Sequence, residues 1–263
     1  MGLLMSCYNI TFYYLNILPA NNKNGEQIET PMNARDFLHK TKYELENHAM
    51  FADPYMLAFE HMEIFDIERA QRFATLYYPH ILRTRLYQAS TLGLLEDEAL
   101  QFVLAEILDD EYGQGDITRS HMELYRNFMR AVGCEILPVH EYQIIPELAD
   151  YIENMQALTR HGDWLSAVAA VGIASEWPIP RYYSCLLAGL KKIPDIEIDS
   201  LELFSGHISL DVEHSRMIEE AVLPHLSNNT NQQRFSAGIE INMRLRRKLH
   251  AGLYREIFAS KCR

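Results

Sequence analysis

Turn formers are scarce in this chain of 263 residues: 12 Gly and 10 Pro together make about 8%, where about 12% is usual. That shortage argues against a β-sandwich or a propeller, which need a turn every few residues, and favours long helices. Cysteine is also scarce. Cys7, Cys134, Cys185 and Cys262 lie far apart with no CxxC pair, which argues against a disulfide framework and a cysteine-built zinc site. Reducing cytoplasm is the expected compartment. Positive charge is short as well: 24 Lys and Arg against 36 Asp and Glu leave a net charge of −12, the wrong sign for bulk nucleic-acid binding.

What basic charge exists is unevenly placed. Eight basic residues fall between Arg234 and Arg263, opposed only by Glu240 and Glu256, and the remaining 233 residues hold 16 basic and 34 acidic side chains. Arg244, Arg246, Arg247 and Lys248 read as the solvated face of a last helix rather than a nucleic-acid stripe. The charge split makes an acidic partner surface, such as a second copy of the chain in a homodimer, the natural cover for that helix. No uninterrupted hydrophobic run is long enough to cross a membrane. Residues 2–20 are mostly apolar, but Ser6, Asn9, Thr11 and Asn16 break them and no positive segment precedes them, which is poor for a signal peptide or a span. Met1-Gly2 with Ser6 fits a myristoylation pattern that is common by chance. Residues 1–30 read as a disordered or loosely packed leader or a misplaced start, with Asn21-Asn22-Lys23-Asn24-Gly25 as a linker, and the folded domain spans 31–263.

From there helix follows helix. Asn33 caps a segment to about Asn47, and a periodic stretch runs from about Asp66 to Ser90, with Pro79 placed to kink or divide it. Further helices are expected over Glu96–Glu111, from Asp116 or Thr118 to Val132 with Gly133 as its stop, and over Pro146–Thr159, Trp164–Ser175, Pro180–Leu190, Ser200–Leu223 and Phe235–Phe258. No segment alternates long enough to be a strand. The expected fold is all-α, one domain of about seven to nine helices.

Three places carry polar residues such a bundle does not need. His207, Asp211 and His214 stand at i, i+4 and i+7, within a stripe roughly 60° wide on one helical face. Two imidazoles and a carboxylate suit ferrous iron, although two surface histidines on an amphipathic helix would give the same spacing. Glu176 ends the uncharged run from Trp164 to Ser175, where a carboxylate near a core needs a partner or a metal. Alternatively it reaches solvent beside Trp177-Pro178. Asp109-Asp110-Glu111-Tyr112-Gly113 closes one helix and His121 opens the next, so both can face one point.

The order Asp-Glu-Tyr-Gly…His, then Glu-x-Pro-x-Pro, then His-x3-Asp-x2-His resembles the haem-oxygenase-like di-iron oxidase family, over about residues 35–225. The fold relatives of that family are the TenA (thiaminase-like) and PqqC-like proteins. The resemblance implies a haem-oxygenase-like helical bundle with two Fe(II) ions held by Glu111, His121, Glu176, His207, Asp211 and His214, Asp110 being the substitute for Glu111. It implies an O2-activating oxidoreductase with an external reductant, whose family reactions include N-oxygenation, desaturation and C–C cleavage of amines and amino acids. Departures narrow this. Residues 69–95 contain no acid, so the extra Glu of some N-oxygenating members is missing, and the spacing Glu111-x9-His121 differs from the compact Glu-x2-His of alkene-forming decarboxylases. Where the para-aminobenzoate synthases consume their own tyrosine this chain has about Phe51, with Tyr55, Tyr77 and Tyr78 as untested substitutes.

The expected substrate is therefore an external small amine or amino acid. Arg181 or Arg85 can pair with a carboxylate, and Tyr77, Tyr78, Tyr182 and Tyr183 can line a pocket, though a structural ion pair or exposed end is the commoner role for such arginines and core packing for such tyrosines. Two other readings stand beside this one. A metal-free TenA- or PqqC-like enzyme would, as a thiaminase, need Cys134 or Cys185 in its site, and a helical interaction protein would need none of the six ligand-type residues.

Overall fold

The computed structural model describes residues 32–259, without the side chains at 207 and 209–212, so the expected leader at 1–30 lies outside the described residues. Eleven α-helical segments and no strand occur among the described residues. They are α1 (Ala34–Glu46), α2 (Pro54–His61), α3 (Ile67–Leu92), α4 (Glu98–Glu111), α5 (His121–Ala131), α6 (Pro146–His161), α7 (Trp164–Val168), α8 (Ala174–Glu176), α9 (Ile179–Leu190), α10 (Glu202–Val222) and α11 (Asn229–Tyr254). The segments α7 and α8 are two halves of one helix joined by a π turn at Ala169–Ile173. The count therefore runs slightly above the expected range, because the short α2 adds a helix and another helix is divided.

Side-chain caps set most of the starts. Asn33 accepts from the Asp36 amide at 3.0 Å, and Asp66, Asp97, Asp163 and Asn228 cap α3, α4, α7 and α11 in the same way. Two local expectations need correction, and one helix was not expected. Pro79 does not divide its helix: α3 is continuous, because burial of Leu76, Tyr77, Tyr78 and Ile81 on both sides outweighs one lost hydrogen bond. Ser120, not Asp116 or Thr118, caps α5, while Asp116 caps a separate 3-10 turn at Ile117–Arg119. The eight-residue α2 is too short for a periodic signal, yet Tyr55, Met56 and Phe59 on it are fully buried.

The core is aromatic. Phe59, Phe65, Phe73, Phe128 and Phe204 are fully buried, and Phe59 and Phe73 meet edge-on at 5.2 Å between centroids, as Phe128 and Phe204 do at 5.5 Å. Around it α3 packs against α4, α5 and α6, α10 against α4 and α9, and α11 against α6 and α7. The contact of α11 with α7 is backbone-close: a Cβ at Gly238 would stand 2.0 Å from the Ser166 carbonyl oxygen. Among the described residues no helix is long and apolar enough to cross a membrane.

The basic last helix is not a uniform solvated face. Arg247 pairs with Asp53, Lys248 with Asp150 and Arg255 with Glu147, at 2.7, 3.0 and 2.6 Å. Arg246, set between the exposed Arg244 and Arg247 of the same basic run, is only 7% exposed.

Candidate metal centre

Two acids at the end of α4 and one imidazole at the start of α5 are brought together by a glycine turn. Gly113 has φ +86°, and a Cβ there would lie 2.2 Å from the Asp116 carbonyl oxygen, so only glycine fits. The turn sets His121 Nδ1 3.0 Å from Glu111 Oε2. Asp110, the neighbouring acid, faces the same interior from the other side of the helix end: its Oδ2 lies 2.5 Å from His214 Nε2 on α10. Both acids thus reach an imidazole, and the substitute named for Glu111 is beside the site rather than away from it.

Glu176 comes from a different direction. The π turn inserts one extra residue into the α7–α8 helix, frees the Ala170 carbonyl, and rotates the half-helix that carries Glu176. Asn242 Nδ2 on α11 donates to that carbonyl at 2.6 Å and lies 3.2 Å from Ser175 Oγ, while Ser175 Oγ donates to the same carbonyl at 3.1 Å. The turn is thereby fixed by side chains, and Glu176 is held 5% exposed with its Oε2 4.0 Å from His214 Nδ1. The solvent-reaching alternative for Glu176 is excluded by that burial.

The four described candidates, Glu111, His121, Glu176 and His214, therefore line one cavity. The side chains of His207 and Asp211 lie outside the described residues, but the α10 backbone runs unbroken through positions 207, 211 and 214, the register the sequence spacing requires. Among the described residues no group of three or more His, Cys, Asp or Glu side chains stands ready to hold a metal ion. The described carboxylates and imidazoles are instead paired with each other. Burial lowers the pKa of His121, but the charge and hydrogen bond of Glu111, with Glu176 and Asp110 behind, outweigh it and leave the imidazole above its ordinary 6.5. Neutral nitrogens and anionic oxygens facing one buried space are the donor chemistry of a non-haem iron site, in which a metal displaces the shared protons.

The cavity this cluster lines has a volume of about 60 Å³, room for a few waters. Tyr77, Tyr182 and Tyr183 line it, whereas Tyr78 packs instead on Tyr125 and Tyr142 and accepts from Arg126 Nε at 3.0 Å. Neither expected carboxylate-binding arginine takes part. Arg181 is exposed, donates to the Glu46 carbonyl at 2.6 Å and stacks on Phe51, and Arg85 lies over Tyr112 outside the cavity. Three lining residues, His80, Arg246 and His250, belong to no motif in the sequence. Asn242, Arg246 and His250 recur every fourth residue among Leu245, Leu249 and Leu253, so a polar row inside an apolar helix face was the available signal. Cys134 and Cys185 do not line the cavity, and burial raises both thiol pKa values, the opposite of an activated nucleophile.

Comparison with known proteins gives the fold and the family. In solved structures the chain is similar in fold to a haem-oxygenase-like domain from Shewanella denitrificans (13% identity, 84% of this chain and 92% of that one, TM-score 0.67). It is similar also to a CADD-like protein from Nostoc punctiforme (16%, 85% and 98%, TM-score 0.62). A TenA homolog from Pseudomonas syringae pv. tomato matches at 11% identity over 90% of this chain and 100% of that one, with TM-score 0.64. A search of curated proteins finds no match. The sequence model of a family of iron-containing redox enzymes matches residues 71–247, a span that includes every candidate ligand from Glu111 to His214. With the haem-oxygenase-like fold and an acid–imidazole cluster inside that span, the chain belongs to the family of iron-containing redox enzymes.

Proposed function

We propose that the protein is a non-haem di-iron oxidase that uses O2 to oxidise a small amine or amino-acid-like substrate. The carrying observation is Glu176, a carboxylate 5% exposed at the end of an apolar helix, 4.0 Å from His214. Glu111 and His121 line the same cavity, and His207 and Asp211 complete the proposed set of three imidazoles and three carboxylates. Such a set suits two Fe(II) ions, which would supply electrons to O2.

The remaining work belongs to the chain. Glu111 and Glu176 are placed to hold positive charge in a site screened from bulk water by Leu203, Val171 and Ile179. Asp110 orients His214 through Nε2, and Glu111 does the same for His121 through Nδ1. The tyrosine- and histidine-lined cavity positions the substrate against that cluster. For N-oxygenation the balance is one amine, one O2, two electrons and two protons giving one hydroxylamine and one water. The two electrons require an external reductant. Desaturation instead takes two electrons from the substrate and two from the reductant, releasing two waters.

Fold similarity to a TenA homolog supports a second reading, a metal-free hydrolase. It is weakened by the absence of Cys134 and Cys185 from the cavity lining. One experiment separates the two. Fe(II)-loaded protein mixed with O2 consumes about one O2 per two irons, and Glu176→Gln lowers the rate at least roughly tenfold. Oxygen uptake by the variant at the rate of the unmodified protein contradicts the proposal.

A further inference from the structure

The basic side chains of α11 show a contrast that assigns a second site. Arg247 and Lys248 are exposed, and each has its own carboxylate, Asp53 and Asp150. Arg246 is 7% exposed, and no carboxylate of the described residues lies within ion-pair distance of it. Its guanidinium lies 5.9 Å from the ring centroid of Tyr182, and its Nε has no partner. A guanidinium remains charged at every physiological pH, and burying it without an anion is costly. Glu111 and Glu176 line the same cavity but form no ion pair with Arg246, and the groups packed nearer carry no charge. Burial raises the pKa values of Tyr77, Tyr151 and Tyr182 and lowers those of His80 and His250, so all five are neutral at pH 7.

Arg246 faces the cavity that Glu176 and His214 also line. It stands one helical turn, about 6 Å along the axis, beyond Asn242, whose amide touches Ser175 next to Glu176. We propose that Arg246 is the anchor for a carboxylate on the substrate. Its planar fork matches a carboxylate in two parallel hydrogen bonds, and the unpartnered Nε is one of the donors such a pair uses. A carboxylate held there is kept off the acid–imidazole cluster, so oxidation falls on another part of the molecule. The substrate class is then a small carboxylic acid with a short body against Tyr77 and Tyr182, the reacting group facing Glu176 and His214. The location of that reacting end rests on the proposed iron site; the anion site itself does not.

The test uses the full chain, with and without Fe(II), and a fixed set of probes: formate, acetate, propionate and glycine, each beside its primary amide, plus inorganic phosphate. Thermal stabilisation and calorimetric titration are read for the unmodified protein, Arg246→Gln and Arg246→Lys. At least one carboxylate is expected to stabilise the metal-free protein and to bind at least roughly tenfold more tightly than its amide. Arg246→Gln is expected to abolish that preference while iron uptake is unchanged, and Arg246→Lys to retain part of it. The proposal is overturned if no carboxylate binds, if amides or phosphate bind equally well, or if Arg246→Gln keeps the preference. Should Arg246→Gln fail to fold, the acid–amide contrast in the unmodified protein and in Arg246→Lys decides. Carboxylate binding that survives in a Glu176→Gln protein unable to take up iron shows that the anion site stands apart from the metal reading.

Discussion

At the scale of single residues, the interior holds imidazoles that are kept neutral. His250 is 1% exposed and lies between the rings of Tyr55 and Tyr182, with centroids 4.7 and 5.3 Å away. His80 lines the cavity, and burial, with the charges of Arg246 and Arg83, brings its pKa down to about 3. In the unfolded chain it returns to about 6.5. Above pH 6.5 both states are neutral and nothing is lost; below it the unfolded state takes up the proton first, so stability falls between pH 6.5 and about 3. At pH 5 the loss attributable to this residue is on the order of 2 kcal/mol. Denaturant unfolding at pH 7 and pH 5 should therefore show His80→Gln to be less acid-sensitive than the unmodified protein, and equal sensitivity would contradict the assignment. Sequence carried some of these residues and hid others. Glu176 was legible because an isolated acid after an apolar run is conspicuous. Arg246 was not, because Arg247 and Lys248 beside it make the segment look solvated, and only the fourfold spacing from Asn242 to His250 separates it from them.

Among the helices, the Asn33 cap and the Gly133 stop were legible because they are local: Asn33 caps through its own side chain, and Gly133 ends its segment at φ +78°. Two other features depend on tertiary contact and were not. Ser120 became the α5 cap only once Asp116 was taken by its own turn, and the π turn depends on Asn242 from a helix more than sixty residues away. That turn is the element on which the site depends most. Asn242→Leu should leave the Ala170 carbonyl with only the Ser175 hydroxyl as side-chain donor, lower stability by about 1–3 kcal/mol, and weaken iron binding roughly tenfold by displacing Glu176. Denaturation and iron titration of the variant measure the two effects; intact iron affinity would show that the turn does not position Glu176. A companion change, Gly238→Ala, pushes α11 from α7 by setting a methyl against the Ser166 carbonyl, and should cost about 1–3 kcal/mol in the same denaturation assay.

For the molecule as a whole, composition already pointed to helices, and the bundle and its haem-oxygenase-like relatives agree with that. Charge was a weaker guide. The basic last helix suggested an external acidic partner, yet Asp53, Asp150 and Glu147 of the same chain take up Arg247, Lys248 and Arg255. Long-range pairing of this kind leaves no local mark in sequence. The candidate centre lies where α4, α5, α8 and α10 meet, and no single segment shows it; the motif order named Glu111, His121, Glu176 and His214 together, and these four line one cavity. Anaerobic titration of the purified chain with Fe(II), read by iron content per folded chain, tests the central claim most directly. The account predicts about two irons per chain, falling to one or none in His214→Ala with the helical fold retained. A well-folded protein that takes up no iron, or one whose uptake is indifferent to His214→Ala, would contradict it.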